Sequence, residues 1–91
     1  MKTHILKTDP GLIALRKAGK RPWEIRLNDR DFKVGDEIIL QETCHSGDAM
    51  ADGAPLAYTG KGLRCTITYM EMNIYGIKDG WVLMMTEVVE E

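Results

Sequence analysis

The sequence predicts a small α+β domain, mainly β, in which about five to six short strands curl into a barrel-like sheet and one short helix in the N-terminal half closes an end. Three observations predict it. Apolar and polar residues alternate with period two in several short runs, the pattern of a strand with one face covered; the clearest are residues 23–27, 63–69 and 81–89. Helix punctuation occurs only once, between Asp9-Pro10 and Gly19. The chain has only 91 residues, and curling a small sheet is a direct way to remove its exposed edges.

Residues 3–8 read as the first strand. Asp9 suits the N-cap of the helix that follows, and Pro10 its first turn, where no N–H is needed. Gly19 fits the left-handed residue that stops a helix, and Pro22 forbids resumption. About two and a half turns are too few to stand alone, so this helix packs on the sheet. In the second strand, Trp23, Ile25 and Leu27 form an inward face, and Glu24 and Arg26 form the opposite one. Residues 28–36 cross over with Phe32 and Val34 as core anchors and Val34-Gly35-Asp36 as a tight turn. A third strand covers 37–42, where Ile38, Ile39 and Leu40 suggest cover on both faces. Residues 43–60, rich in Gly, Asp and small residues, read as a long loop or hairpin insertion, either functional or mobile. Residues 63–74 alternate again, with Leu63, Cys65, Ile67 and Tyr69 on one side. A turn at 75–80 leads to the last strand.

Size and composition bound the function. The chain is a single domain over 1–91, burying ~60–65% of its unfolded surface. It is 44% apolar and 29% charged, with no long apolar run. A membrane span and a signal peptide are therefore not expected, and the cytoplasm is the expected location. Cys44 and Cys65 do not make a disulfide framework. Cys44 stands beside His45 without a second pair to complete a tetrahedral site, so no metal and no cofactor are expected. The net charge of −2 hides an asymmetry: residues 1–40 hold nine Lys/Arg against six Asp/Glu, and residues 41–91 three against eight. The positive excess is densest over 16–33. That argues for a local anion site and against a general polyanion binder, which would be basic throughout.

Gly19, Arg21, Glu24 and Arg26 resemble the Gly-x-Lys-x-x-Glu-x-Arg signature of ASCH domains in the PUA-like superfamily. The likeness goes further with a small bacterial and phage subgroup of undetermined function, which the sequence resembles at His4, Leu6 and Lys7, Glu24-Ile25-Arg26, Asn28-Asp29-Arg30-Asp31-Phe32, Val34-Gly35-Asp36 and Gly80-Trp81-Val82. Only the 43–60 segment falls outside the likeness. The resemblance implies a PUA-like pseudo-barrel with a cleft between the helix and the barrel rim, and a role in RNA binding or RNA metabolism. It also brings in an acetylcytidine amidohydrolase and reported ribonucleases. That amidohydrolase relies on a Lys, a Thr and a distant Glu, whereas here Arg21 stands at the Lys position and Glu24 at the Thr position. Arg does not deprotonate near neutral pH, and Glu has no hydroxyl to offer as a nucleophile.

The expected ligand-binding residues are accordingly Lys7, Arg21, Glu24, Arg26 and Arg30. Arg26 would fork onto a phosphate, carboxylate or base edge, and Glu24 would accept from a base amino group or orient Arg26. Trp23, Tyr69 and Trp81 are candidate stacking platforms. Asp29 and Asp31 are read as turn residues that cap their own backbone or pair with Arg30. The leading expectation is a small nucleic-acid-related binding domain for RNA or a nucleotide fragment. The alternative is a hydrolase of a modified nucleoside or RNA, with Glu24 as general base and Lys20 or Arg21 facing the developing negative charge. A second alternative is a bacterial or phage interaction module that meets a protein partner through 43–60.

Overall fold

The computed structural model describes residues 1–73 and 76–89. Five strands and two short helices follow in the order β1 (Thr3–Thr8), α1 (Leu12–Lys17), β2 (Trp23–Leu27), β3 (Glu37–Thr43), α2 (Gly47–Ala51), β4 (Tyr58–Glu71) and β5 (Trp81–Val88). They form one sheet in the order β1-β3-β4-β5-β2, curled into a half-barrel. β1 and β3 run parallel, and every other pairing is antiparallel. The fold is thus mainly β with five strands. The expected end of the fourth strand at Ile74 and the start of the turn at Tyr75 lie outside the described residues.

The core lies on one face of this sheet. Leu6, Ile38, Leu40, Leu63, Cys65, Ile67, Val82 and Met84 point into it from four strands, joined by Ile13 of α1 and Phe32 of the crossover. Cys65 is fully buried, and burial pushes its thiol pKa up. Phe32 is anchored as its apolar ring requires, but Val34 is not: it is 58% exposed. The anchoring role passes to Asp36, which accepts from the backbone N–H groups of Lys2 and Lys33 and meets His4 Nε2 at 2.9 Å. His4 is a structural hydrogen-bonder, with its ring set edge-on to Phe32.

Four local features differ from the sequence expectation. First, α1 begins at Leu12 behind Gly11, whose positive φ of 85° puts it in the left-handed region; Gly11 makes no side-chain cap. Asp9, expected as the cap, accepts instead from the Gly47 N–H at 3.0 Å and so ties the helix entry to α2. Gly19, with φ 73°, does end the helix. Second, the 43–60 segment is not all loop. It is the tip of the β3–β4 hairpin and carries α2, N-capped by Ser46, whose hydroxyl accepts from the Ala49 N–H at 3.1 Å. Ser46→Ala should cost about 1 kcal/mol locally and speed amide exchange at Ala49, with the sheet unaffected.

Third, a bulge at Thr68 interrupts the β4–β5 ladder: Ile67 faces Thr86, while Tyr69 already faces Met85. The extra residue flips the alternation, so Tyr69 lies outside and is 53% exposed while Met70 packs on the core. Fourth, Asp31 pairs with Lys33 at 3.3 Å, both largely exposed, and not with Arg30.

The largest departure is β2, which sits the other way round. Trp23, Ile25 and Leu27 face outward, 37%, 45% and 48% exposed, and Glu24 faces the core at 3%. The register explains the exchange. Trp23, Ile25 and Leu27 lie opposite Met85, Leu83 and Trp81, so the apolar rows of β2 and β5 cover one another on the outer face. Glu24 lies opposite Met84, which is fully buried.

Candidate functional site

A carboxylate taken this far from water must be paired. β2 is an edge strand whose inner face looks across to the C-terminal end of α1, and three arginines converge on Glu24 from these elements and the link between them. Oε1 accepts from Arg26 Nε at 3.0 Å and Arg26 Nη2 at 2.8 Å. Oε2 accepts from Arg21 Nη1 at 2.8 Å and from Arg16 Nη2. Arg16 also donates to Thr86 Oγ1 and to the Trp23 carbonyl, and it is only 4% exposed. Burial by itself would raise the Glu24 pKa. The Arg26 charge, the hydrogen bonds from Arg26 and Arg21 and the Arg16 charge outweigh it and hold the carboxyl below its ordinary value.

Arg26, together with Arg30, also stitches the open side of the half-barrel. β1 and β2 are the two edges of the sheet. Arg26 Nη2 donates at 2.7 Å to the Lys7 carbonyl of β1, and Arg30 Nη1 donates at 2.7 Å to the Ile5 carbonyl. Two edge carbonyls that could recruit a foreign strand are thereby occupied.

Between these edges lies a cleft of ≈ 430 Å³. Leu6, Leu12, Phe32 and Trp81 give it apolar walls, and Lys7, Arg21, Arg26 and Arg30 give it four cations. Asp9, Glu24 and Asp29 also line it. Glu24 is committed to its arginines and Asp9 to the Gly47 N–H, whereas the Lys7 ammonium has no hydrogen-bond or ion-pair partner among the described residues. The Arg21 guanidinium also lies 5.9 Å over the ring of Trp23, a residue that does not itself line the cleft. The cleft can therefore hold an anion carrying an apolar, planar group.

All five expected ligand-binding residues, Lys7, Arg21, Glu24, Arg26 and Arg30, line this one cleft. Of the parts expected for Glu24, its geometry matches the orienting of Arg26 and not that of a base. Both its oxygens are taken, so it has no lone pair to offer as a general base in this arrangement; it holds Arg21 and Arg26 in place. Lys20 is exposed in the turn after α1 and does not line the cleft. Among the stacking candidates, Trp81 alone lines it.

Arg16 is the residue that sequence reasoning passed over, because a basic residue near a helix end ordinarily is solvated. The usable signal was its i,i+3 spacing from Ile13, which puts both on one helix face, the buried one. The described residues hold no group of three or more His, Cys, Asp or Glu placed to share a metal ion, and none of their helices is long and apolar enough to cross a membrane.

A family model described as a domain of unknown function, DUF3850, matches residues 3–86. The chain belongs to the DUF3850 family. The match runs from β1 to within β5, so both edges of the cleft and every cation lining it fall inside the DUF3850 domain. No curated protein matches the chain.

Proposed function

We propose that this DUF3850 domain binds RNA or a nucleotide fragment in the cleft between β1 and β2, and that its half-barrel is of the ASCH-like, PUA-like kind. One observation carries the reading: Lys7, Arg21, Arg26 and Arg30 converge on one cleft with apolar walls, with two of them held rigid by a buried carboxylate. A guanidinium pre-set by Glu24 loses little freedom on meeting a phosphate or base edge, and its planar donors suit both. Of the signature residues, Arg21, Glu24 and Arg26 belong to one hydrogen-bonded cluster, which supports the ASCH-like assignment. The binding reading is favoured over hydrolysis because Glu24 is saturated by its arginines.

Lys7 gives the cleanest test, since its ammonium is exposed and its loss leaves the fold intact. Lys7→Ala should weaken binding of a nucleoside monophosphate by about 1–2 kcal/mol with no change in Tm. Binding of single-stranded RNA should fall with added salt, and the slope should be shallower in the variant. Titration of wild type and variant with labelled RNA and nucleoside monophosphates at two salt concentrations reads both effects. Absence of binding to either ligand, or an unaltered affinity in Lys7→Ala, rejects the proposal.

A further inference from the structure

The register of β2 determines where its backbone groups point. Antiparallel pairs alternate between residues that exchange hydrogen bonds and residues that do not. The Asn28 N–H donates to the Gly80 carbonyl, and the Thr86 N–H donates to the Pro22 carbonyl. With Glu24 opposite Met84 and Arg26 opposite Val82, the ladder to β5 uses residues 22, 24, 26 and 28. The N–H and C=O groups of Trp23, Ile25 and Leu27 therefore point away from β5, to the free edge of the sheet. The Trp23 carbonyl is taken by Arg16 and Arg21. Those of Ile25 and Leu27 have no partner among the described residues.

This edge is a wall of the cleft. Glu24 and Arg26 project from one face of β2 and Ile25 and Leu27 from the other, yet all four line the same cleft. A cleft reaches both faces of a strand only by running along its edge. On the facing edge, the Ile5 and Lys7 carbonyls are already satisfied by Arg30 and Arg26. Apart from the Ile5 and Lys7 N–H groups, which face the opening from β1, the open backbone groups are a short donor–acceptor–donor–acceptor row on β2, which holds the free acceptors: Ile25 N–H, Ile25 C=O, Leu27 N–H, Leu27 C=O. Two residues are too few for a docked strand of ordinary length. They suit a small planar ring with a donor beside an acceptor on one edge, as every nucleobase has.

We propose that the Ile25–Leu27 backbone edge reads the hydrogen-bonding edge of a nucleobase while the cations of the cleft hold its phosphate. This rests on the reading of the cleft as a nucleotide site and adds the element that distinguishes a nucleotide from a bare sugar phosphate. Backbone groups are fixed by the ladder on the other side of the strand, so the row is preorganised. They also explain how a cleft whose only carboxylate on β2 is saturated can still accept hydrogen bonds from a base.

Proline tests it, because it deletes one N–H and is tolerated on an edge strand where that N–H faces away from the ladder. Ile25→Pro and Leu27→Pro each remove one donor of the row and none of the β2–β5 hydrogen bonds. The probes are the four common nucleoside 5′-monophosphates and ribose 5-phosphate, titrated by calorimetry. Wild type should bind at least one nucleotide more tightly than ribose 5-phosphate. The proline variants should lose about 5–30-fold of that nucleotide affinity and keep the ribose 5-phosphate affinity. A variant with the Leu27 N–H replaced by an ester oxygen, made by ligating synthetic segments at Cys44, should show the same loss without the bulk of the ring.

Amide exchange in the wild type gives a readout that needs no variant: the Ile25 and Leu27 N–H groups should gain protection with the nucleotide and none with ribose 5-phosphate. Equal binding of nucleotide and ribose 5-phosphate, or nucleotide binding unaffected in all three variants without protection of the two amides, overturns the backbone reading and leaves the phosphate site standing. Failure of both probes to bind wild type removes the cleft reading and this inference with it.

Discussion

Glu24→Gln should destabilise the domain by about 3–5 kcal/mol, the usual cost of breaking a buried ion pair by removing one partner. The loss follows from what is left behind. Arg16 is 4% exposed and, among the described residues, has only Glu24 as a charged partner, so the neutral amide strands its guanidinium away from water. Chemical denaturation of both proteins measures the difference. A loss below about 1 kcal/mol would mean that Thr86 Oγ1 and the Trp23 carbonyl compensate Arg16 by themselves.

Two comparisons sharpen the result. Lys33→Gln breaks the exposed Asp31–Lys33 pair and should cost under about 1 kcal/mol. Arg16→Met in the Glu24→Gln background should recover part of the loss, because it removes the stranded charge and keeps the volume. The pH dependence has a definite sign. Folding lowers the Glu24 pKa, so its share of stability is fully present above its ordinary value of 4.5 and is lost as pH falls below it. The same substitution releases Arg21 and Arg26 from their carboxylate, so nucleotide binding by the protein that remains folded should weaken as well.

Asp36→Asn should be the second large effect, about 2–3 kcal/mol at neutral pH. Asp36 joins the start of β1, the crossover before β3 and the buried His4 through one carboxylate. The hydrogen bond with His4 is the main cause that depresses its pKa; burial opposes it, and the Lys2 and Lys33 amides add to the depression, which brings the pKa from 3.8 to about 2. A depressed carboxylate stabilises the fold above its unfolded pKa. That stability is fully present above about pH 4 and is lost as pH falls through about 2. The gap between wild type and Asp36→Asn should therefore narrow over that window, since protonation makes the native side chain resemble the variant. Denaturation curves from pH 7 to pH 2 that run parallel would show that the acid sensitivity lies elsewhere.

The strands, the helix stop at Gly19 and the Leu63-Cys65-Ile67 row of β4 were legible because each depends on local spacing. Leu63, Cys65 and Ile67 are buried as alternation requires, and Tyr69 escapes it because one residue, Thr68, bulges. Such a bulge depends on the register of two strands distant in sequence. Asp9 shows the same limit at a helix end. As a residue type it suits an N-cap, but the Gly47 N–H, 38 positions away, holds its carboxylate.

By itself, then, the sequence determined a small mainly β domain with one helix in its first half and the set of charged residues, Lys7, Arg21, Glu24, Arg26 and Arg30, that share a cleft. Only the tertiary structure decided which face of β2 is inside. Alternation states that two faces differ but not which one is covered. A strand that reads Trp-Glu-Ile-Arg-Leu would ordinarily bury its apolar side. Here Arg16, which comes from a different element and is itself buried, makes it possible to place Glu24 inward, and the outer row of β5 gives Trp23, Ile25 and Leu27 apolar neighbours outside. The same inversion turns the charged side chains of β2 toward the cleft between the two sheet edges, and the ladder to β5 leaves the strand's backbone open along it.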